Sequence, residues 1–273
     1  MPSRLTFAAA AFAAFALVSG SLGAHEFWVQ PHAAPLPGGE MMADLRRGEN
    51  FRGDPLVFNP ANFERFDVTG PEGTRPVEGR LGDKPALRME ARAEGLYVAA
   101  YVSPTLRTTY TAAEQFQRFA EAEGFEDAAR RHDERVQSPV FSEAYTRYAK
   151  ALVPVGQADV ADRTLGLPVE IVLEDMAFDG GRVRARVFLF GQPFVHALVR
   201  RFARPLDDDA APALVETART DAWGRVTLDL PPGHRILLSA VHLREPSTRL
   251  AAARDVVWET LWASSAFDTR FAP

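Results

Sequence analysis

The chain contains 273 residues with no cysteine, and its 31 basic and 36 acidic residues give a net charge of −5. This mildly acidic balance argues against a nucleic-acid partner, because nucleic-acid binding requires a basic surface. The lack of cysteine excludes disulfides, cysteine nucleophiles and thiolate metal ligands, so a bound metal ion must be held by nitrogen and oxygen atoms.

An apolar leader occupies residues 1–24. Arg4 precedes an apolar run over residues 5–18, and small residues follow as far as Ala24. This order is typical of a secretory signal peptide, and the run is shorter than the roughly 20 residues that a membrane-spanning helix needs. We predict cleavage after Ala24, although a cut one residue earlier would place a smaller residue at the −3 position. We therefore expect a periplasmic mature protein that begins with His25.

The mature chain is long enough for two domains, and the 47% of hydrophobic residues in the full sequence suffices for two cores. Over residues 25–108, short apolar runs alternate with turn signals such as Pro37-Gly38-Gly39. Residues 66–69 and 96–102 are rich in the β-branched and aromatic residues that strands favour. These features predict an N-terminal β-sandwich of about seven strands.

The sequence pattern changes at Thr111, and we predict a helical insert or linker over residues 109–155. Strong helix formers, with apolar residues three and four positions apart, predict helices over residues 112–123, 126–135 and 142–152. One interpretation of the insert is a cap packed against a sandwich, with its charges in solvent. The other interpretation is a lid or a docking surface.

Strand patterns resume in residues 156–273, where a second β-sandwich is predicted. The order of a glycine-rich turn, a Thr220-Asp221 hairpin and a Pro232-Gly233 turn is similar to that of prealbumin-like and CnaB-like immunoglobulin-type modules. The chain is therefore predicted to be mainly β, with two immunoglobulin-like β-sandwich domains and a helical insert between them. The predicted strands of this part cover residues 169–173, 183–190, 195–202, 213–217, 220–228, 235–243 and 256–267.

His25 is the strongest candidate metal ligand. A histidine at a free N-terminus offers two nitrogen donors, its α-amine and its imidazole, and the amine loses its proton to a metal ion more easily than a backbone amide does. The alternative is that His25 is only the residue that follows the cleavage site. Glu26, beside the terminus, offers a carboxylate to complete a site with oxygen ligands.

Three further residues are candidate metal ligands. His32 lies seven residues after His25; in an extended strand the two side chains would face opposite sides, although Pro31 can interrupt this alternation, and the alternative is an exposed loop residue. His242 lies among apolar neighbours in a predicted strand, where an imidazole needs a hydrogen bond or a metal ion. Glu259 stands between two tryptophans and is interpreted as a ligand, as an acceptor for a ligating histidine or as an exposed strand residue. The remaining histidines are expected to be structural or exposed residues: His132, His196 and His234.

The sequence offers no assembled catalytic motif. It lacks the G-x-S-x-G elbow, the Walker A pattern, a G-x-G-x-x-G after a strand and the H-E-x-x-H motif. The run Asp207-Asp208-Asp209 lies in a polar loop, and we interpret it as a solvated segment. We therefore do not expect this protein to be an enzyme.

A series of motifs in order along the mature chain carries a family resemblance. The motifs are His25-Glu26-Phe27-Trp28-Val29-Gln30-Pro31, Gly48-Glu49-Asn50-Phe51-Arg52-Gly53, Tyr148-Ala149-Lys150-Ala151-Leu152, Leu165-Gly166-Leu167-Pro168 with Glu170, Ala218-Arg219-Thr220-Asp221, Ala240-Val241-His242-Leu243 and Trp258-Glu259. This series resembles the DUF4198 family of exported bacterial proteins, some of which are described as periplasmic components of nickel or cobalt uptake systems.

The resemblance implies a periplasmic protein of immunoglobulin-like β-domains that binds a divalent transition metal ion and passes it to a membrane transporter. The positions that match the family are His25, His242 and Glu259. His32 has no counterpart in the family pattern. Leu243 stands where the family suggests methionine, which argues against a copper(I) site supported by a thioether.

Two classes of function remain open. The first is a binding protein for nickel or cobalt that has a membrane metal transporter as its partner. Copper is the rival ion, because nitrogen donors bind Cu²⁺ more tightly in the Irving–Williams order, and a terminal histidine also suits an oxidative copper enzyme with a histidine brace. The second class is a β-sandwich module that binds carbohydrate or protein through stacking residues, for which the candidates are Trp28, Trp223, Trp258 and Trp262.

Overall fold

The described residues 26–110 contain eight strands. A computed structural model describes residues 26–136, 138–156, 161–174 and 181–269. The predicted leader, residues 1–24, lies outside the described residues, as does His25. The first eight strands are β1 (Glu26–Pro31), β2 (Gly39–Glu49), β3 (Arg52–Leu56), β4 (Arg65–Gly70), β5 (Gly73–Pro76), β6 (Leu87–Ala91), β7 (Gly95–Val102) and β8 (Leu106–Tyr110).

Two of the three predicted helices are confirmed. They are α1 (Ala113–Ala122) and α2 (Glu126–Arg135). The face of α1 that carries Phe116, Phe119 and Ala120 is buried, as the three- and four-residue spacing predicts. Both helices lie within the predicted insert, between the two groups of strands.

The third predicted helix, over residues 142–152, is wrong. These residues belong to a long strand, β9 (Phe141–Val155). The segment contains good helix formers, but it pairs with a strand on each side, and this tertiary pairing overrides the local preference. Side chains on both of its faces are buried, so the alternation of apolar and polar residues that marks a half-exposed strand is missing.

The second part of the chain consists of strands and one short helix. The elements are β10 (Val169–Leu173), β11 (Arg182–Leu189), β12 (Gln192–Pro193), β13 (Leu198–Pro205), β14 (Leu214–Arg219), β15 (Arg225–Asp229), β16 (His234–Arg244), α3 (Thr248–Arg254) and β17 (Trp258–Asp268). The predicted mainly β fold, with helices between two groups of strands, is confirmed. None of the described helices combines the length and the apolar character that crossing a membrane would require.

Strands from both parts of the chain join one nine-stranded sheet. Its order is β14-β13-β16-β17-β9-β7-β4-β5, and β8 also pairs with β9. The junction is β9, which pairs antiparallel with β7 and parallel with β17. The strands of residues 25–108 and those of residues 156–273 therefore meet in this central sheet.

The two faces of the central sheet are covered by different layers. The sheet formed by β10, β11, β12 and β15 covers one face, which we call the β10 face. The sheet formed by β1, β2, β3 and β6 covers part of the other, the β1 face, and α1 and α2 cover another part of it over Trp258 and Trp262. Neighbouring residues of β9 alternate between the two cores, with Leu152 on the β10 face and Ala151 on the β1 face.

Candidate functional site

Glu26, the first described residue, is held at the start of β1 by the turn between β2 and β3. Asn50 and Phe51 in this turn both have positive φ, of 52° and 59°, as a two-residue type I′ hairpin turn requires. Their backbone N–H groups face the Glu26 carboxylate and act to lower its pKa. The turn thus presents two successive backbone N–H groups to an anionic side chain.

The turn is supported by close packing on both sides. Phe51 is a bulky residue in a left-handed conformation, which such side chains disfavour. Its ring is buried, packs edge-on against Trp28 of β1 at 5.2 Å between ring centres, and lies 5.5 Å from the Arg204 guanidinium. A Cβ atom at Gly48 would lie 1.6 Å from the Arg52 carbonyl oxygen, so the hairpin needs glycine there. This segment is therefore shaped to hold the first strand in place.

Charged neighbours surround Glu26 on the β1 face. Burial raises the pKa of the Glu26 carboxyl; Arg200 on β13 and the two backbone donors oppose this rise, and Glu49 adds to it. Arg200 also forms an ion pair with Glu123, at the end of α1. We call Glu26, Glu49, Glu123 and Arg200 the N-terminal cluster. Within it, the one guanidinium of Arg200 faces the carboxylates of both Glu26 and Glu123.

One oxygen of Glu26 lacks a partner in the described part of the chain. Its Oε2 atom is buried without a hydrogen bond. Leaving a buried acceptor unsatisfied costs about 1–3 kcal/mol, and more for a charged group. A hydrogen-bond donor or a cation is therefore expected beside Oε2, close to where residue 25 joins the strand.

His242 lies on the other side of the central sheet from the N-terminal cluster. It pairs with Leu261 across β16 and β17, and its ring packs edge-on against Phe194 at 5.3 Å. Arg200 pairs with Ser239, an odd-numbered residue of β16, so the alternation of the strand places Arg200 and His242 on opposite faces. Burial, and then Arg244, lower the pKa of His242, which favours a neutral imidazole.

Glu259 is engaged by a neighbouring strand. It pairs across the sheet with Arg244, whose Nε donates to Oε2 at 2.8 Å and whose terminal nitrogen donates to Oε1 at 3.1 Å. Both carboxylate oxygens are used in this fork, and the side chain is largely buried. Arg244 is therefore the hydrogen-bond partner of both Glu259 carboxylate oxygens.

His32 lies at the far end of β1. The strand from Glu26 to Pro31 is extended, so His32 is separated from Glu26 by about 20 Å. Its Nε2 lies 3.3 Å from Asp44 Oδ2, which Arg46 also contacts at 2.9 Å. Burial acts to raise the pKa of Asp44, but the hydrogen bonds from His32 and Arg46 outweigh it and the pKa is lowered. His32 thus belongs to a separate ion cluster.

The predicted ligands are therefore distributed over the molecule. The structure places Glu26, the neighbour of His25, on the β1 face, whereas His242 and Glu259 lie on the β10 face and His32 lies at the other end of β1. Among the residues that the structure describes, no three histidine, aspartate or glutamate side chains converge on a point that a metal ion could occupy. A site at the terminus thus depends on donors from His25.

Three of the four tryptophans proposed as stacking residues belong to the core. Trp28, Trp258 and Trp262 are buried, and Trp223 is 62% exposed. Of these four, only Trp223 offers a ring to a polymer in solution. A stacking platform made by this set of residues is not assembled.

Sequence reasoning did not find the residues that surround Glu26. The motif from Gly48 to Gly53 carried a signal for the turn, because it has glycines on both sides of Asn50 and Phe51. Arg200 and Glu123 carry no such signal. They approach Glu26 only because β13 and the end of α1 meet at the start of β1.

The protein is mainly β, and its first strand packs on the central sheet, where Glu26 interacts with Arg200 of β13. The chain belongs to the DUF4198 family, a domain of unknown function, whose model matches residues 22–244. No curated protein matches the chain. The chain is also similar to a solved structure of the D0-D1 domain of Intimin. The alignment covers 89% of this chain and 98% of the Intimin chain, with 12% sequence identity and a TM-score of 0.21.

Proposed function

We propose that the mature protein is periplasmic and binds one divalent transition metal ion, nickel or cobalt, at its N-terminus. The ligands are the α-amine and imidazole of His25 and the Oε2 atom of Glu26. The observation that supports this assignment is the buried oxygen of Glu26 that lacks a partner in the described residues, next to the position where His25 begins. The protein then passes the ion to a membrane uptake system.

The donor set suits such an ion. Imidazole and amine nitrogens favour nickel, cobalt, copper and zinc, whereas magnesium and calcium favour oxygen ligands. The α-amine has an ordinary pKa near 7.7–8.0, so a metal ion displaces its proton readily at neutral pH. Only removal of the leader creates this amine, and metal binding is therefore restricted to the processed protein.

Arg200 makes the proposed site suitable for release of the ion. Its guanidinium opposes a second cation near Glu26, which lowers affinity, while its pairing with Glu123 holds it in place. The three donors also leave coordination positions that a receiving protein is able to occupy. A carrier needs an ion that exchanges, and no catalytic step is required of any residue.

The test is to isolate the protein from the periplasm of a producing bacterium and to measure its mass without denaturation. We expect a chain that begins at His25 and carries one nickel or cobalt ion. A matched preparation that retains Ala24 lacks the free amine of His25 and is expected to be metal-free. Equal metal content in the two preparations, or a mature chain that begins elsewhere, would refute the proposal.

A further inference from the structure

A buried lysine on β9 contacts two carboxylates inside the β10 face. The Lys150 Nζ atom lies 3.0 and 3.2 Å from the two oxygens of Asp162 and 3.3 Å from Oε1 of Glu170. The side chains are 1%, 0% and 2% exposed, respectively. Lysine and acidic residues are rarely buried so completely.

Lysine is rare in this sequence, and one of its two lysines occupies this buried position. Of its 31 basic residues, only Lys84 and Lys150 are lysines, and the other 29 (31 minus 2) are arginines. An ion pair alone does not need lysine, because arginine forms stronger, forked bonds with carboxylates. What lysine adds is a primary amine, which is a nucleophile when it loses a proton.

The acidic partners are fixed by the backbone. The N–H groups of Arg163 and Leu173 donate to Asp162. The N–H groups of residues 165, 166 and 167 donate to Glu170, with distances between 2.6 and 3.2 Å. Both oxygens of Asp162 face Nζ at nearly equal distances, so the carboxyl carbon between them lies next to the amine. Glu170 presents only one oxygen to Nζ, which makes Asp162 the better acyl partner.

We propose that Lys150 and Asp162 join in an intramolecular amide bond, with Glu170 as the proton carrier. The lysine nitrogen attacks the carboxyl carbon of Asp162, and a carbon–oxygen bond of that carboxyl breaks. Of the three ammonium hydrogens, one stays on the amide nitrogen, and two leave with the departing oxygen as water. Glu170 takes a proton from nitrogen and returns it to that oxygen. The ammonium and carboxylate thus become an amide and water, without an oxidant or an added reagent.

The buried position favours this product. A buried ion pair keeps a desolvation cost of several kcal/mol per ion, and a neutral amide removes both charges. The fixed contact also replaces a bimolecular encounter, and effective molarities of about 10⁵–10⁸ M are known for well-placed groups. The water formed leaves the interior. The bond would close a loop around residues 150–162 and anchor the segment that precedes β10.

The decisive experiment is digestion of the denatured protein with a protease that cuts after lysine. Lys84 precedes Pro85 and resists such cleavage, so Lys150 is the one susceptible position. We expect the wild-type chain to remain uncut there and to be one water molecule lighter than its sequence. Complete cleavage after Lys150, with the full sequence mass, would overturn the proposal.

Two variants and an internal control extend the test. Lys150→Arg keeps the charge and is expected to recover the mass of the missing water. Glu170→Gln removes the proton carrier and is expected to slow bond formation by about 100-fold or more, as seen in refolding followed by mass. An amine-reactive label on the denatured wild type should modify Lys84 and leave Lys150 unmodified. Equal labelling of both lysines would contradict the amide, even where a variant fails to fold.

Discussion

The carboxylate of Glu26 and the guanidinium of Arg200 lie together on the β1 face of the central sheet, and each shifts the pKa of the other. Arg200 is shared with Glu123 at the end of α1. Arg200 therefore links β13 to the first strand and to the end of α1. The cluster lies beside the predicted mature terminus, and the buried Oε2 atom of Glu26 is the basis for proposing a cation there.

The first prediction concerns Glu26 itself. Glu26→Gln keeps an oxygen for the backbone donors of the turn but removes the charge of the proposed ligand. We expect nickel affinity to fall by at least about 10- to 100-fold, the loss found when even the outer-shell partners of metal ligands are changed. The measurement is equilibrium dialysis of the processed protein against nickel.

Glu259→Gln is the matched control for that variant. Glu259 is the carboxylate that sequence reasoning proposed as a ligand, but Arg244 binds both of its oxygens. We expect its replacement to leave nickel affinity within a factor of two or so, since it lies on the opposite face of the sheet. A loss of affinity in Glu259→Gln that matches the loss in Glu26→Gln would show that the site is on the β10 face.

The second prediction is a pH dependence of stability due to Glu143. This residue of β9 is fully buried, accepts a hydrogen bond from Tyr110 at 2.8 Å and contacts the Thr260 hydroxyl. Burial raises its pKa from an ordinary 4.5 to about 7, although the hydrogen bonds from Thr260 and Tyr110 oppose the rise. Between these two values the unfolded chain has lost the proton that the folded chain keeps, so stability falls as pH rises through this window.

Glu143→Gln removes this titration. Between pH 4.5 and a pH above 7, the wild type should therefore lose about 3 kcal/mol of unfolding free energy relative to the variant. Urea titrations at several pH values measure it. Glu72→Gln, in the exposed turn between β4 and β5, is the control and should show a flat difference. A flat difference for Glu143→Gln as well would show that Glu143 does not titrate as described.

The third prediction concerns the docking of the helices on the sheet. The indole Nε1 of Trp258 donates to Nδ1 of His132 at 3.0 Å, which joins β17 to α2 inside an aromatic cluster. Trp258→Phe leaves a buried acceptor without a donor and opens space, so we expect unfolding free energy to fall by about 2–4 kcal/mol. The exposed Trp223→Phe should change it by less than about 0.5 kcal/mol. Similar losses in the two variants would argue against this bond.

The content of strands and helices could largely be predicted from sequence, and the long central strand could not. Phe116, Phe119 and Ala120 identified the buried face of α1 because a surface helix shows its period in the sequence. Residues 142–152 did not reveal β9, because that strand contacts a core on each face and contains residues that favour helices. Its parallel pairing with β17 depends on residues far away in the chain, which no local pattern encodes.

The candidate site was predicted in part. His25 and Glu26 were selected because they follow a predicted cleavage site. His242 and Glu259 shared a chemical type with metal ligands, but β-strand alternation places them on the other side of the sheet from Glu26. Sequence spacing cannot show which face of a folded sheet a residue occupies when the strand order is unknown. The contact between Glu26 and Arg200 is likewise a product of tertiary packing.

The fourth prediction follows from the shared sheet. Because β9 pairs with β7 on one side and β17 on the other, residues of the two predicted sandwiches should unfold together. We expect one calorimetric transition, and we expect Leu152→Ala, in the core of the β10 face, to lower its midpoint without splitting it. Two separate transitions, with only one moved by the substitution, would show that the two parts are independent domains.

The most direct test of the central claim is a calorimetric titration of the processed protein with Ni²⁺, Co²⁺ and Cu²⁺, beside a version with one extra residue before His25. We expect one-to-one binding of nickel and cobalt by the processed protein, tighter binding of copper, and at least a tenfold loss of affinity for the extended version. Absence of binding, or binding that the extra residue leaves unchanged, would contradict a metal site at the N-terminal histidine.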